Sequence, residues 1–186
     1  MYLVITNVVK ELLLLPETIN SPTRCSNSPV NSVWVAPPHG FLKLNSDVSW
    51  KGNQMESVAA VIVSNHMGDL LDGKASFICA SSPLAGEARA MLEALKLATA
   101  MAVKFIVLET DNAELFQAIQ ASVLAIKDLM DLFNEVHFSL VNRSANKAAD
   151  YACNGIDLLA GQAIIISADS IQRYSNRQLN IKATIV

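Results

Sequence analysis

The ten residues Phe41–Trp50, FLKLNSDVSW, constrain the fold of this chain more than any other stretch. Leu42, Leu44, Ser46 and Val48 fall on one side of an extended chain, and Lys43, Asn45, Asp47 and Ser49 on the other. That period-two pattern belongs to a strand buried on at least one face. Aspartate is depleted in strands, and a carboxylate at a strand centre costs stability unless a cation or hydrogen-bond donors meet it. Asp47 therefore needs a partner from elsewhere in the chain.

What surrounds this strand is read in order. MYLVITNVVKELLLL has no basic leader, and Lys10 and Glu11 interrupt its apolar run, so it reads as a short amphipathic helix rather than a signal or membrane anchor. Residues 16–32, rich in Pro, Ser, Asn and Thr, read as a linker. Domain boundaries are thus expected at 1–33 (helix and linker), 34–160 (a folded domain) and 161–186 (an extension of uncertain structure). Met55–Asn65 and Asp69–Ala80 follow the first strand across short turns, as in an antiparallel meander. Ser82-Pro83 offers a helix cap and a proline at the first helical position, opening a long helix over Leu84–Ala102. Lys104–Thr110 holds the continuous apolar run of a strand buried on both faces. Helices over Ala113–Gln120 and Val123–Glu135, a strand over Val136–Asn142 and a helix capped by Ser144 from Ala145 to Leu159 complete the order βββαβααβα. AIIIS, beginning at Ala163, can add a short strand. Three antiparallel strands followed by strands separated by helices make an α/β fold, a mixed sheet with helices on its faces.

Four carboxylates occupy unusual places. Asp47 is inside a strand, and Glu87 shares a helix face with Met91 and Ala94 rather than with the polar Arg89, Glu93 and Lys96. Asp111 sits at the carboxyl end of the buried strand, where open α/β sheets place ligands. Asp150 is flanked by Ala149, Ala152 and Cys153, with Asn146 four residues earlier. Each has a plain structural role open to it: Asp111 as a helix cap, Glu87 as a first-turn acid, Asp150 as a surface acid. Together, near the apolar seams of their elements, they would repel one another unless cations lie between them. Mg²⁺ takes oxygen ligands, and a two-ion carboxylate site supports in-line phosphodiester chemistry. The net charge of −3 excludes a global basic field, so a polyanion must be held locally or through metal ions. Cys25, Cys79 and Cys153 show no CxxC or Cys/His spacing and read as free thiols of a reducing, intracellular compartment, nucleus or cytoplasm.

In WVAPPHGFLKLNSD, AGEARAMLEALKLA, FIVLETDNAEL and NRSANKAADYA, taken in that order, the chain resembles the type 1 ribonuclease H domain. More closely, it resembles the plant, retroelement-derived group of reverse-transcriptase-like ribonuclease H domains, over residues 34–155. The resemblance implies a five-stranded mixed sheet of order 3-2-1-4-5 and a monomer that cleaves the RNA strand of RNA–DNA hybrids. It also implies two Mg²⁺ ions, with Mn²⁺ as a substitute, held by Asp47, Glu87, Asp111 and Asp150. Asn146 is expected to help position the last helix. Asn45, Ser49 and Asn112 are candidates for reading the 2′-OH, and Lys43, Lys51, Arg143, Asn146 and Lys147 for other substrate contacts, with no membrane partner.

The chain departs from the family pattern at Val48, where glycine is usual, at Ala59-Ala60, and at Ser64-Asn65. A β-branched residue at 48 is expected to crowd the backbone beside the metals. His137 falls inside the fifth strand rather than on a loop before Asp150. These departures leave a second reading: a catalytically degenerate domain that only binds nucleic acid or a protein partner. A related 3′–5′ exonuclease is disfavoured, because Asp47-Val48-Ser49 lacks the usual Asp-x-Glu.

Overall fold

A computed structural model describes residues 33–50, 57–121, 131–154 and 164–165. The elements are β1 (Leu42–Ser49), β2 (Ser57–Ser64), β3 (Leu70–Ile78), α1 (Pro83–Ala100), β4 (Phe105–Thr110), α2 (Ala113–Ala121), β5 (Glu135–Leu140), α3 (Lys147–Asn154) and β6 (Ile164–Ile165). They build one mixed sheet in the order β5-β4-β1-β2-β3-β6. The five-stranded order 3-2-1-4-5 is therefore present, and AIIIS supplies a sixth strand through Lys74↔Ile165 and Ala75↔Ile164. β1 lies at the centre, antiparallel to β2 and parallel to β4.

The alternation in β1 sorts the whole molecule. Leu44 joins Val61, Val63, Ile106 and Leu108 under α1 and α2, where Met91, Leu95, Leu115 and Ile119 close the larger core. On the opposite face Val58, Ala60, Ile62 and Ala75 meet Ala149, Ala152 and Cys153 of α3. The α3 side of that second core is built from the small side chains Ala149, Ala152 and Cys153, and α3 lies against β1 and β2.

The polar face of β1 is buried as well. Lys43 and Glu109, each with a side chain 6% exposed, form an ion pair across the β1–β4 ladder. The Asn45 amide donates to Glu109 Oε2 (2.9 Å) and to Asn146 Oδ1 (3.2 Å), while Asn45 Oδ1 accepts from Trp34 Nε1 (3.2 Å). Asn146, fully buried, donates to the carbonyl of Ser46 (2.9 Å). These bonds tie the residue just before α3 to the middle of β1.

Helix ends follow local chemistry. Ser82 accepts from the Ala85 amide (3.2 Å) with Pro83 at the first helical position, as the sequence suggests. The last helix differs: it starts at Lys147, not Ala145. Ser144 instead lies in the preceding turn, hydrogen-bonded to Asn142 Oδ1, and the backbone carbonyl of Asn146 accepts the first helical amides. The amphipathic stretch 1–15, the linker 16–32, the turn at 51–53 and most of the helix expected over 123–135 lie outside the described residues. Glu135, the last residue of that expected helix, opens β5. Among the described residues, no helix is long and apolar enough to cross a membrane.

Candidate metal centre

All four acids converge at one end of β1. Asp47, Glu87 and Asp111 each offer a carboxylate oxygen within 4.8 Å of the others, and Asp47 stands equally close to Asp150 in a second group completed by Cys153. Asp47 is common to both. Asp47, Glu87 and Asp111 line an open cleft of about 460 Å³ together with Val48, Ser49, Trp50, Asn112, Arg143 and Asn154.

Each acid is aimed there by its element. Asp47 is the last buried polar residue of β1 and accepts the Val48 amide (2.8 Å). Glu87 is on the buried side of α1, in its first turns. Asp111 follows β4. Asn112 Oδ1 takes the capping role for α2, accepting the Leu115 amide (2.9 Å), so the Asp111 carboxylate is left for the cleft. Asp150 projects from α3, where Asn154 Nδ2 (3.0 Å) and Arg143 Nη2 (3.5 Å) hold its Oδ1.

Burial and mutual repulsion shift the acids upward, with Arg143 opposing at Glu87 and Asp111. Burial, with the nearby Asp111 and Asp150 charges, raises the Asp47 carboxyl from 3.8 to about 6, against the pull of the Val48 amide. Burial, then the charges of Asp47 and Asp111, raises Glu87 from 4.5 to about 9. Asp111 is also raised by burial, with Arg143 opposing. Glu87 is 8% exposed, and its Oε2 has no hydrogen-bond partner. A buried carboxylate oxygen without a donor is costly, and an all-oxygen trio around it suits a hard divalent cation. The residues present therefore fit such an ion.

A pH dependence follows. Both folded-state values lie above the ordinary ones, so these groups contribute stability that is complete below about pH 4 and is lost as pH rises through about 6 and then about 9. Thermal melts in a chelator from about pH 5 to about pH 9 should show a falling Tm, and added Mg²⁺ should flatten the fall by binding the ionised forms. A metal-free Tm that rises over that window would contradict the assignment.

The other residues singled out in the sequence divide. Ser49, Asn112 and Arg143 line the cleft. Lys147 is exposed in the first turn of α3 and is not part of the lining. Lys43, Asn45 and Asn146 are not surface contacts for a substrate: all three are buried and spend their polar groups on the network beneath the acids. Periodicity places Lys43 on the polar face of β1 but cannot show that Glu109 comes to meet it from another strand. His137 stays within β5, bonded to Glu135 (2.6 Å) and stacked on Phe41. Val48 lines the cleft beside the acids and packs its methyls over Gly86, where an added methyl would stand 3.0 Å from Val48 Cγ2. Sequence reasoning missed Cys153 and Asn154, although their spacing of three and four from Asp150 puts all three on one side of a helix.

The chain matches the family model described as reverse transcriptase-like over residues 45–155. No curated protein sequence matches it. Among solved structures it is similar to ribonuclease H1 from the halophilic archaeon Halobacterium salinarum (19% identity, TM-score 0.50, covering 61% of this chain and 95% of that one). It is also similar to the N-terminal ribonuclease H domain of a Mycobacterium tuberculosis protein (16%, TM-score 0.55, 62% and 97%). A third similar structure is the LC11 ribonuclease H1, solved in complex with an RNA/DNA hybrid (15%, TM-score 0.53, 61% and 94%). At these identities the likeness is one of fold.

Proposed function

We propose, from the premise that this chain belongs to the reverse transcriptase-like, ribonuclease H-like family, that it is a divalent-metal-dependent endonuclease acting on the RNA strand of RNA–DNA hybrids. The observation that supports this most is the convergence of Asp47, Glu87, Asp111 and Asp150 around a shared Asp47, with an unpartnered buried oxygen on Glu87. Asp47, Glu87 and Asp111 would hold one Mg²⁺, and Asp47 with Asp150 a second. Bound there, the ions would supply Lewis acidity for an in-line phosphodiester displacement. The chain's own residues do the rest. Arg143, at the rim and largely exposed, offers a bidentate donor to a phosphate. Ser49 and Asn112 are small polar groups suited to a ribose hydroxyl. The buried Asn45–Asn146 pair keeps α3, and hence Asp150, in register with Asp47.

The test is hydrolysis of end-labelled RNA–DNA hybrid by the full chain, with and without Mg²⁺, beside Asp111→Asn. Cleavage of the RNA strand by the wild type, lost in the variant and in chelator, is the expected result. Equal inertness of both proteins refutes the enzyme reading, and hybrid binding without turnover identifies the domain as a binding module.

A further inference from the structure

Trp34 precedes β1 and lies outside residues 45–155, the stretch that matches the family model. We propose that Trp34 is a positioning residue: its indole N–H opens a hydrogen-bond relay, through Asn45 and Asn146, that sets where α3 presents Asp150 to Asp47.

The plain role of Trp34 is that of an aromatic ring packed on the sheet. The ring lies over the Lys43 ammonium, which stands 5.2 Å from its centroid. Its other edge meets the β2–β3 turn, where a Cβ on Gly68 would come 3.7 Å from Trp34 Cζ3. Those contacts fix the ring, and packing needs nothing more. The N–H goes elsewhere. Nε1 donates to Asn45 Oδ1 (3.2 Å), and among the described residues no other group donates to that oxygen. Asn45 is 3% exposed, so water cannot readily replace the indole. A buried amide oxygen left without a donor is costly.

The direction of the relay is fixed at both ends. An indole N–H only donates, so the Asn45 atom that meets it is the oxygen. Asn45 Nδ2 then faces Glu109 Oε2 (2.9 Å) and Asn146 Oδ1 (3.2 Å). With that oxygen engaged, Asn146 turns its Nδ2 to the carbonyl of Ser46 (2.9 Å), a group that only accepts. The Asn146 backbone carbonyl accepts the Asp150 amide (3.2 Å). One buried residue thus holds the strand just before Asp47 and the helix at Asp150, and its side chain is among the groups that oppose the rise at Asp111. Trp34 reaches the acids through two amides. The consequence for turnover rests on the nuclease reading above. Groups that orient metal ligands from behind contribute about 10–100-fold in affinity or activity.

Trp34→Phe in the full chain is the test, because it keeps a ring over Lys43 and Gly68 and removes the N–H. Hydrogen exchange followed by NMR on the metal-free protein should quicken at the Asn45 and Asn146 side-chain amides and at the Asp150 backbone amide, with α1 unchanged. Mn²⁺ affinity, titrated by electron paramagnetic resonance, should fall about 10–100-fold, and kcat should fall with little change in KM. A residue that only packs would lower the Tm and leave these readouts as in the wild type. Unchanged exchange at Asp150, unchanged Mn²⁺ affinity, or a variant that does not fold overturns the proposal. Exchange is read without metal or hybrid, so a wild type that binds no Mn²⁺ or cleaves no hybrid, beside a variant with the expected exchange, counts against the metal or nuclease reading alone.

Discussion

Asp47→Asn should lower hybrid hydrolysis by at least about 10³-fold, roughly 4 kcal/mol of transition-state stabilisation, and at the same time raise the thermal stability of the metal-free protein. The first effect follows from Asp47 being common to both acidic groups, so that one substitution weakens both. The second follows from what burial does to the carboxyl. Its rise from 3.8 to about 6, at about 1.4 kcal/mol per unit, represents on the order of 3 kcal/mol spent in keeping that group charged in the fold near neutral pH. Asparagine keeps an oxygen for the Val48 amide and removes the charge. The measurements are the hydrolysis rate in Mg²⁺ and the Tm in chelator, on the same preparation. Opposite changes in activity and stability mark a group strained for function. A variant that loses both would make Asp47 structural, and one that retains activity would remove it from the site.

Lys43→Met should destabilise the protein by about 3–5 kcal/mol, the usual cost of stranding one member of a buried ion pair, or roughly 10 °C in Tm for a domain of this size. Among the described residues Glu109 then keeps the Asn45 amide as its side-chain donor, in a place with almost no access to water. The double variant Lys43→Met/Glu109→Leu should recover much of that loss, because no charge is left unpaired. Chemical denaturation of the two single variants and the double closes the cycle. A single substitution costing under about 1 kcal/mol, or a double equal to the sum of the singles, would mean that the pair does not act as a unit.

Much of the fold was legible because its strongest signals are local. The two faces of β1, the Ser82-Pro83 cap and the apolar run in β4 each reside within a few neighbouring residues, and the structure bears them out. The grouping of Asp47, Glu87, Asp111 and Asp150 was also legible, as acids that disagree with the apolar seams of their own elements. What could not be read depends on partners far apart in sequence. Lys43 looks like a phosphate ligand until Glu109, 66 positions later, is brought beside it by the parallel register. Asn45 looks like a surface amide until Asn146 is laid across it. Ser144 reads as a helix cap in the sequence, but the turn is organised by Asn142 and α3 starts at Lys147. The spacing of Cys153 from Asp150 places the two on one side of a helix, but the 3.5 Å that separates Cys153 from Asp47 depends on the fold.

The contact between Val48 and Gly86 makes the order in which substitutions are acquired matter. A methyl at position 86 would stand 3.0 and 3.2 Å from the two Val48 methyls, and 3.5 Å from Ala80 Cβ. Valine has little rotamer freedom with which to yield. Gly86→Ala alone therefore presses α1 off the sheet one residue before Glu87, and any gain in helix propensity is set against a shifted metal ligand. After Val48→Gly the same alanine is left with the ordinary 3.5 Å contact to Ala80 Cβ. Shrinking position 48 first relieves the two closest contacts that an alanine at 86 would make. The residue beside Asp47 and the residue before Glu87 are thus one inherited unit, and neither substitution can be judged alone when the chain is compared with its relatives.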